Sequence, residues 1–337
     1  MNAVAATLAS IPSPSFNSID IGPLSLNLYG LSIAIGVVAA VWLMGRRFVE
    51  RGVGTTDDAS SIAIWAVIAG VIGARLYHVA TDWDRFDDDY AAIPKIWEGG
   101  LGIPGGLLLG IPVGLYLARS KGVGVAAAAT CAAPAIPLAQ AIGRWGNYFN
   151  QELYGRPTEL PWALEIDADH LVTNPDTGQL FELGTTFHPT FLYESLWSLA
   201  LVALLLFIDR NRRPATGALM GLYLAGYGLG RFWVEGLRVD PADELGPFRW
   251  NQWVALAGIV GGLALWAALR NRVVDAPAGP ESDPEGDPEI DGSADQASDD
   301  GLEPGDIDTD SSLLDSTPSE SSASESTDRE SKANESN

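Results

Sequence analysis

The chain has 337 residues, 47% of them hydrophobic and 19% charged, and its formal net charge is −23. Residues 275–337 carry twenty acidic and only two basic residues, so the first 270 are far more apolar than the average and unlike those of soluble domains. The single cysteine excludes intrachain disulfides and Cys-based metal sites, and the three histidines lack metal-ligand spacing. We expect no metal, no cofactor and no nucleic-acid partner.

Seven apolar runs of roughly 17 to 21 residues, each near the length of a membrane-spanning helix, fill most of the first 270 residues. Residues 1–27 lack the basic segment and cleavage site of a signal peptide, so we expect an extracytoplasmic arm there. The pattern predicts an all-α integral membrane protein with seven transmembrane helices in a domain at residues 28–272. The runs lie at about 28–45, 60–80, 99–118, 123–142, 190–208, 215–235 and 252–269.

Basic residues follow the odd-numbered runs and mark one side of the membrane. Short cytoplasmic loops carry an excess of Lys and Arg, which predicts a multi-pass protein of the cell membrane with its N-terminus outside and its C-terminus in the cytoplasm. The segments 81–90 and 240–244, on the opposite side, are acidic. The basic residues are Arg46, Arg47, Arg51, Arg119, Lys121, Arg210, Arg212, Arg213, Arg270 and Arg272.

Two segments outside the runs have distinct compositions. Residues 156–188 form the longest loop, and their alternating and turn-forming residues predict a small extracytoplasmic cap with some strand. Residues 273–337 are rich in Asp, Glu, Ser, Pro and Gly, which predicts a disordered acidic cytoplasmic tail. Such a tail is a docking segment for a basic partner or, as charge blocks usually are, a solvating extension of the kind common in halophilic proteomes.

The stretch GRWGNYFNQELYG, residues 143–155, places charged and amide side chains where the fourth apolar run ends. Such residues are costly at membrane depth and usually face a bundle interior or a water-filled cavity. If helical geometry continues, Arg144, Asn147 and Gln151 share one face, flanked by Asn150 and Glu152. An arginine fork beside amides suits a phosphate or a carboxylate; the alternative is an interfacial arginine that extends to water.

A second arginine, Arg231, interrupts the sixth run near its predicted outer end, on the same side as Arg144. Two buried cations repel each other unless an anion lies between them, so this pair requires a phosphate-like ligand or Glu partners. The alternative is a structural bridge from Arg231 to Glu235, four residues later on the helix. Arg75 and His78 have a similar structural alternative, as the end of a helix that reaches the interface.

Three further segments give weaker signals. The glycine-rich segment WEGGLGIPGG, residues 97–106, permits close approach of a ligand at Gly105 and Gly106, although helix packing is the preferred interpretation. HPTFLYE begins the fifth run, and its His188 is a proton acceptor, a phosphate ligand or a surface histidine at a loop end. Tyr29 is a hydrogen-bond donor or a member of the aromatic belt.

Taken in order, these segments resemble the bacterial prolipoprotein diacylglyceryl transferases over nearly all of residues 20–270. GRWGNYFNQELYG is similar to the family signature, and IGPLSLNLYG, WEGG with the following GG, HPTFLYE and GYGLGRFWVEGLR match other family segments. The resemblance implies seven spans with the N-terminus outside. It implies transfer of a diacylglyceryl group from phosphatidylglycerol, an anionic phospholipid donor, to the lipobox cysteine of a preprolipoprotein signal peptide, forming a thioether and releasing glycerol phosphate.

The resemblance also assigns roles to individual residues. The essential tyrosine of the family falls on Tyr29, its phosphate-binding arginines on Arg144 and Arg231, and its essential Asn and Gly on Asn147 and Gly155. Further substrate-binding residues are expected among the neighbouring polar residues and glycines, namely Arg75, Gly105, Gly106, Asn150, Glu152, Glu194 and Glu235.

One position departs from the family. Pro104 stands where the family usually has a histidine, often proposed as the base that deprotonates the cysteine. Nearby arginines lower the pKa of a thiol, so a dedicated base is not strictly required. We expect His188 to be the reserve base.

Two other functions are compatible with the same arginines. A non-catalytic anionic-lipid-binding or transport protein would hold the headgroup without reaction, but no inverted repeat is visible between the halves. A degenerate homologue would have lost catalysis, which the joint presence of Tyr29, Arg144, Asn147, Gly155 and Arg231 argues against. If the acidic tail signals a halophilic archaeon, the donated group would be diphytanylglyceryl, from an ether-linked lipid.

Overall fold

The computed structural model describes residues 10–270, except 23, 97–98 and 176. Within this part, seven helices have at least 18 residues, and each of the seven predicted runs falls on one of them. The predicted tail and residues 1–9 of the predicted arm lie outside the described residues. The helices are α1 Leu28–Arg51, α2 Thr56–Thr81, α3 Ile103–Ser120, α4 Val125–Gly143, the short α5 Trp145–Phe149, α6 Thr190–Arg212, α7 Ala218–Glu235 and α8 Trp250–Leu269.

Six helical segments of the described chain are long and apolar enough to cross a membrane: α1, α2, α3, α4 together with α5, α6 and α8. Many of their large apolar side chains are exposed, among them Val38, Leu108 and Val260, as expected where lipid replaces water. Helix α7 is not among the six, because Arg231 and Glu235 and its glycines lower its hydropathy. The seventh span therefore stays a prediction.

Glycines let the helices approach one another closely. A Cβ atom at Gly105 would overlap the carbonyl oxygen of Gly73, and one at Gly106 would lie 3.3 Å from the oxygen of Gly70, so α2 and α3 touch through their backbones. Gly221 and Gly262 join α7 and α8 in the same way. Small residues are the usual helix-packing surface in membranes. The structure therefore favours packing, rather than substrate contact, for Gly105 and Gly106.

Some helix ends differ from the predicted ones. Helix α1 continues through its basic residues to Arg51 and ends at Gly52, whose φ of 65° is the left-handed cap that glycine favours. Helix α3 begins at Ile103 rather than 99, because Gly99 and Gly100 have φ values of 87° and 74°. Charged residues at a helix end lower hydropathy without ending the helix.

The strands are short antiparallel pairs outside the helix bundle. They are β1 Ser18–Ile21 with β2 Leu24–Asn27, β3 Leu164–Glu165 with β4 Thr186–Phe187, and β5 Glu244–Leu245 with β6 Phe248–Arg249. The cap segment, residues 156–188, contains β3 and β4. Its Ile166 and Phe187 form an apolar cluster with Tyr154 and Val239 on either side of the segment in the chain. Ile11 pairs with Leu164, so the N-terminal arm is fastened to this segment.

Candidate active site

The polar stretch after α4 is organised around a close contact with α1. A Cβ atom at Gly146 would lie 2.7 Å from Cδ2 of Tyr29, so only glycine lets the tyrosine ring pack there. Tyr29 lies in the first turn of α1, where the Asn27 side chain accepts a hydrogen bond from its backbone N–H at 2.7 Å. Its hydroxyl neighbours are Asn147, Arg144 and Glu152. The structure thus brings four predicted site residues together.

Glu194 joins the two predicted arginines. Its Oε2 lies 2.6 Å from Nε of Arg144, and its Oε1 lies 2.8 Å from Nη1 of Arg231. On the other side, Nη2 of Arg231 lies 2.7 Å from Oε2 of Glu235. Of the two anions that the sequence analysis allowed, the structure shows Glu partners, and the bridge between Arg231 and Glu235 is also present.

A second layer of charge surrounds the completely buried Glu235. Arg238 and Arg249 lie 3.7 and 3.5 Å from its carboxylate, and Asn251 donates to it at 3.2 Å. Both of these arginines also contact Asp240. Together with the first layer, and with Glu152 held by Asn147 beside Arg144, four guanidinium groups face four carboxylates.

This second layer was not predicted from the sequence as part of the site. Arg249 precedes α8 and has no helical spacing to the other site residues, so nothing local marks it. The available signal was Glu235 itself, because a carboxylate inside an apolar run requires cationic partners and Arg238 follows it at i, i+3.

Arg144 is the arginine with donors to spare. Its Nη1 makes only a long contact of 3.4 Å to Oδ1 of Asn147, whose own amide donates to Oε1 of Glu152 at 2.8 Å. Its Nη2 has no hydrogen-bond partner among the described residues, and its side chain is 22% exposed. Both terminal nitrogens of Arg231, in contrast, already contact glutamates.

Gln151 does not share a face with Arg144, and that expectation is wrong. Helix α5 ends at Phe149, and Gln151 has a φ of 51°, which turns its side chain toward the cap segment. Its amide donates to Oδ2 of Asp167 at 2.6 Å and accepts from the Asp167 backbone at 2.8 Å. Asn150 directly follows the last residue of α5 and caps the helix, because its N–H donates to the carbonyl of Gly146. Gln151 therefore fastens the cap segment.

Gly155 lies where three segments meet. Its N–H donates to the carbonyl of His188 at 2.9 Å, while the next residue, Arg156, donates to that of Leu237 at 2.7 Å. A Cβ atom at Gly155 would lie 2.7 Å from Cβ of His188. The glycine is needed because no side chain fits between the cap segment, the start of α6 and the end of α7.

His188 lies beside the arginine cluster rather than within it. Its Nδ1 is 3.0 Å from the hydroxyl of Tyr193, which also accepts from Nε1 of Trp162 at 3.0 Å. The Tyr193 ring stacks on Trp233, with centroids 5.7 Å apart. Burial lowers the pKa of His188. Its imidazole is therefore neutral at pH 7. It is held by an aromatic wall made of Tyr193, Trp162 and Trp233, in which Tyr193 directly precedes Glu194 in the chain.

Arg75 and Pro104 have local structural partners. The Arg75 guanidinium donates to four backbone carbonyls of the loop before α3, at 2.6 to 3.0 Å, and so holds that loop against α2. Pro104 lies in the first turn of α3, where a missing N–H costs nothing. The four carbonyls are those of Ala92, Ile93, Gly99 and Gly100.

An apolar groove lies beside the segment that carries Arg144. It has a volume of about 360 Å³ and runs between α1, the α4–α5 junction and α6, with Ile35, Ile142, Trp145, Phe149 and Leu199 in its wall. Trp145 is the neighbour of Arg144 in the chain. The space between Arg144, Glu194 and Arg231 is only about 10 Å³, room for about one water. The arrangement suits an anion with an apolar chain attached, approaching from the groove.

Comparison with known proteins agrees with this geometry. A family model described as prolipoprotein diacylglyceryl transferase matches residues 17–268. Similar proteins named phosphatidylglycerol–prolipoprotein diacylglyceryl transferase occur in Frankia alni (46% identical, covering 81% of this chain and 71% of the relative) and Paenarthrobacter aurescens (46%, 78% and 84%). Another, in Cutibacterium acnes, is 45% identical and covers 78% of this chain and 88% of the relative.

These three organisms are bacteria, so the archaeal interpretation of the acidic tail and its ether-linked donor gain no support. The family match spans both arginines, the glutamates between them and all the long helices of the described chain except the last residue of α8. The chain is a multi-pass membrane transferase, and it belongs to the prolipoprotein diacylglyceryl transferase family, as its motifs predicted.

Proposed function

We propose that this chain transfers the diacylglyceryl group of phosphatidylglycerol to the lipobox cysteine of a prolipoprotein at the outer face of the cell membrane. The names of its relatives support the two substrates. The observation that carries the proposal is Arg144, which keeps unused donors and is the chain neighbour of Trp145 in the wall of an apolar groove. A lipid with an anionic headgroup and acyl chains matches both features.

Phosphate binding falls mainly to Arg144. A guanidinium offers two parallel donors to two phosphate oxygens, and the Nη edge of Arg144 is the one still available. Arg231 is held between Glu194 and Glu235, so it orients Glu194 and adds positive potential. Glu194 in turn fixes Arg144 through Nε.

The chemical step is a displacement at carbon. The cysteine sulfur, as thiolate, attacks the glyceryl carbon that bears the phosphate, a C–S bond forms, and the C–O bond to phosphate breaks. The electron pair of that bond leaves with glycerol phosphate, and the thiol proton passes to a base or to solvent. Arg144 stabilises the charge that develops on the leaving phosphate, because its donors are already in place.

His188 is the proposed proton acceptor in a chain where Pro104 replaces the usual histidine. To accept at Nε2, the imidazole must carry its proton on Nδ1 and donate it to the Tyr193 oxygen, 3.0 Å away. The lowered pKa of His188 keeps the ring neutral, as a base requires. The contact with Tyr193 fits this role in the tautomer that carries the proton on Nδ1.

The remaining predicted residues support the headgroup site. Tyr29 donates toward the bound lipid, and Asn147 holds both Arg144 and Glu152 in place. Gly155 keeps His188 close to the site. Arg75, Gly105 and Gly106 act through the packing of α2, α3 and the loop between them.

The test uses the purified full chain in nanodiscs that contain phosphatidylglycerol with a labelled headgroup, together with a lipobox peptide. We expect glycerol phosphate release and a peptide mass increase equal to one diacylglyceryl group, both abolished when the peptide cysteine is replaced by serine. Release that does not depend on the cysteine would indicate a hydrolase. Lipid binding with neither product would indicate the non-catalytic alternative and overturn the proposal.

A further inference from the structure

A second basic site lies at the opposite end of the same helices. Tyr29 and Arg47 are 18 positions apart on α1, which at 1.5 Å per residue is about 27 Å. Glu194 and Asp209 are likewise near the two ends of α6. A cavity of about 840 Å³ opens at this far end, between α1, α4 and α6. We call it the basic cleft, because its lining includes five arginines but only Glu50 and Asp209 as acids.

Two of these arginines are short of partners. Arg47 is 3% exposed and contacts Oδ2 of Asp209 at 2.8 Å, and Arg51 contacts the other oxygen of the same carboxylate. The Nε atoms of both arginines are buried and have no hydrogen-bond partner in the described part of the chain. A buried charged donor without a partner is costly. One carboxylate therefore serves two cations.

The lining changes from apolar to basic along the helices. On α6, Leu206 and Val202 lie about one and two turns before Arg210, and Arg213 follows the end of the helix. On α1, Trp42 lies one turn before Arg46, whose guanidinium is 6.0 Å from the indole centroid. Trp42 is 59% exposed, so the apolar end of the cleft is accessible from the side of the bundle. This gradient matches a molecule with an anionic head and apolar chains.

We propose that the basic cleft binds the phosphate of an anionic phospholipid, in the leaflet opposite to the one that supplies the candidate active site. The phosphate oxygens accept hydrogen bonds from Arg47 and Arg51, and the exposed Arg210 and Arg213 close over the headgroup. The acyl chains lie along the wall formed by Trp42 and Leu206. A volume of several hundred cubic ångströms is typical of a site for a molecule of this size.

The positive-inside pattern alone does not account for the cleft. That pattern places arginines at helix ends where water surrounds them, as it does for Arg119 at the end of α3, which does not line the cleft. A solvated arginine has no need of burial. Arg47 is buried, and its neighbours form a concave site rather than a flat rim.

The test counts lipids retained by the full chain in native mass spectrometry, during titration of detergent micelles with phosphatidylglycerol. We expect two retained lipids for the wild type, and one each for Arg47→Gln and for the double variant Arg210→Gln/Arg213→Gln, with the lost site weakened at least about tenfold. Arg119→Gln is the matched control and should retain two. The double variant at the exposed Arg210 and Arg213 still tests the proposal if Arg47→Gln does not fold.

Further arms distinguish lipid binding in the cleft from lipid binding at the candidate active site and from binding of a soluble phosphate. Arg144→Gln should lose the other lipid, and its combination with Arg47→Gln should lose both, whether or not the chain is a transferase. Retention of two lipids by Arg210→Gln/Arg213→Gln would overturn the proposal. Equal retention of phosphatidylcholine would overturn the anionic specificity, and displacement by millimolar sn-glycerol 3-phosphate would show that the cleft binds a soluble phosphate rather than a lipid.

Discussion

At the residue scale, Arg144 and Arg231 differ in what their donors already hold. Both terminal nitrogens of Arg231 contact glutamates, Glu194 and Glu235, whereas Arg144 keeps its Nη edge. The sequence predicted that an anion lies between them but left open whether it is a ligand or a glutamate. Glu194 is fifty residues from Arg144 in the chain, so no local spacing relates them. The packing of α6 against the end of α4 is what brings Glu194 to Arg144.

The first prediction concerns the fork of Arg144. Arg144→Lys keeps the charge but loses the paired donors, so we expect kcat/KM to fall roughly 10- to 100-fold, the equivalent of about 1.5 to 3 kcal/mol for a charged hydrogen bond. The measurement is lipidation of a lipobox peptide in nanodiscs. Arg156→Lys, at an exposed arginine close by, is the control and should match the wild type. Unchanged kcat/KM in Arg144→Lys would remove Arg144 from phosphate binding.

The second prediction concerns the pH dependence of transfer. Burial lowers the pKa of His188, so the ring loses its acceptor role only when the pH falls below its ordinary value of about 6.5. We expect the rate to drop on acidification through that lowered pKa, and His188→Asn to reduce the rate and abolish this acidic limb. His170→Asn, at an exposed histidine of the cap segment, serves as the control. An acidic limb that survives in His188→Asn would show that the thiol ionises unaided and that His188 is structural.

At the element scale, the sequence predicted the helices well but not the breaks between them. Periodicity and apolar length identify α1 to α4, but they do not show where helical geometry stops after the fourth run, before Gln151. The left-handed φ of Gln151 results from its hydrogen bonds to Asp167, which is a tertiary contact invisible in local sequence. The structure gives the family's Gly155 a physical reason, since the cap segment, α6 and α7 meet there.

The third prediction concerns this junction. Gly155→Ala places a methyl group 2.7 Å from Cβ of His188, so the backbone must shift, which costs about 1 to 3 kcal/mol of stability. We expect a lower Tm and a loss of transfer. Gly143→Ala, where a Cβ meets no atom within 4 Å, should retain both. A Gly155→Ala variant with wild-type Tm and activity would contradict the proposed close contact.

The fourth prediction separates packing from binding at α3. If Gly105 packs helices, Gly105→Ala pushes α3 away from Gly73 and lowers the Tm without an isolated rise in KM. Gly261→Ala, on α8 with open space around it, is the control and should keep its Tm. A raised KM at unchanged Tm would instead place Gly105 in substrate binding, as the sequence analysis also considered.

At the scale of the whole molecule, α1 and α6 each carry polar residues at both ends, with apolar side chains between them. Their N-terminal ends hold Tyr29 and Glu194, and their C-terminal ends hold Arg47 and Asp209. The apolar runs were predictable because their length is set by the bilayer. Arg249 was not, because it joins the site from a hairpin that no run contains.

Helix α7 decides whether the chain crosses the membrane six or seven times. Its Arg231 and Glu235 make it too polar by composition alone, yet both are paired with charges of other elements, Glu194 and Arg249 among them. Paired charges inside a bundle are tolerated at membrane depth. We therefore expect α7 to span, with its N-terminal end in the cytoplasm.

Cysteine labelling tests this topology. Cys131, the single cysteine of the chain, is first replaced by Ala; then Arg212→Cys and Ala242→Cys are made at exposed positions that flank α7, with Thr177→Cys in the cap segment as the outside reference. A membrane-impermeant maleimide should label Thr177→Cys and Ala242→Cys in intact cells, and Arg212→Cys only after lysis. If Ala242→Cys requires lysis while Thr177→Cys does not, α7 does not cross, and the contact of Arg231 with Glu194 at the cap end of α6, on which the proposed site depends, is contradicted.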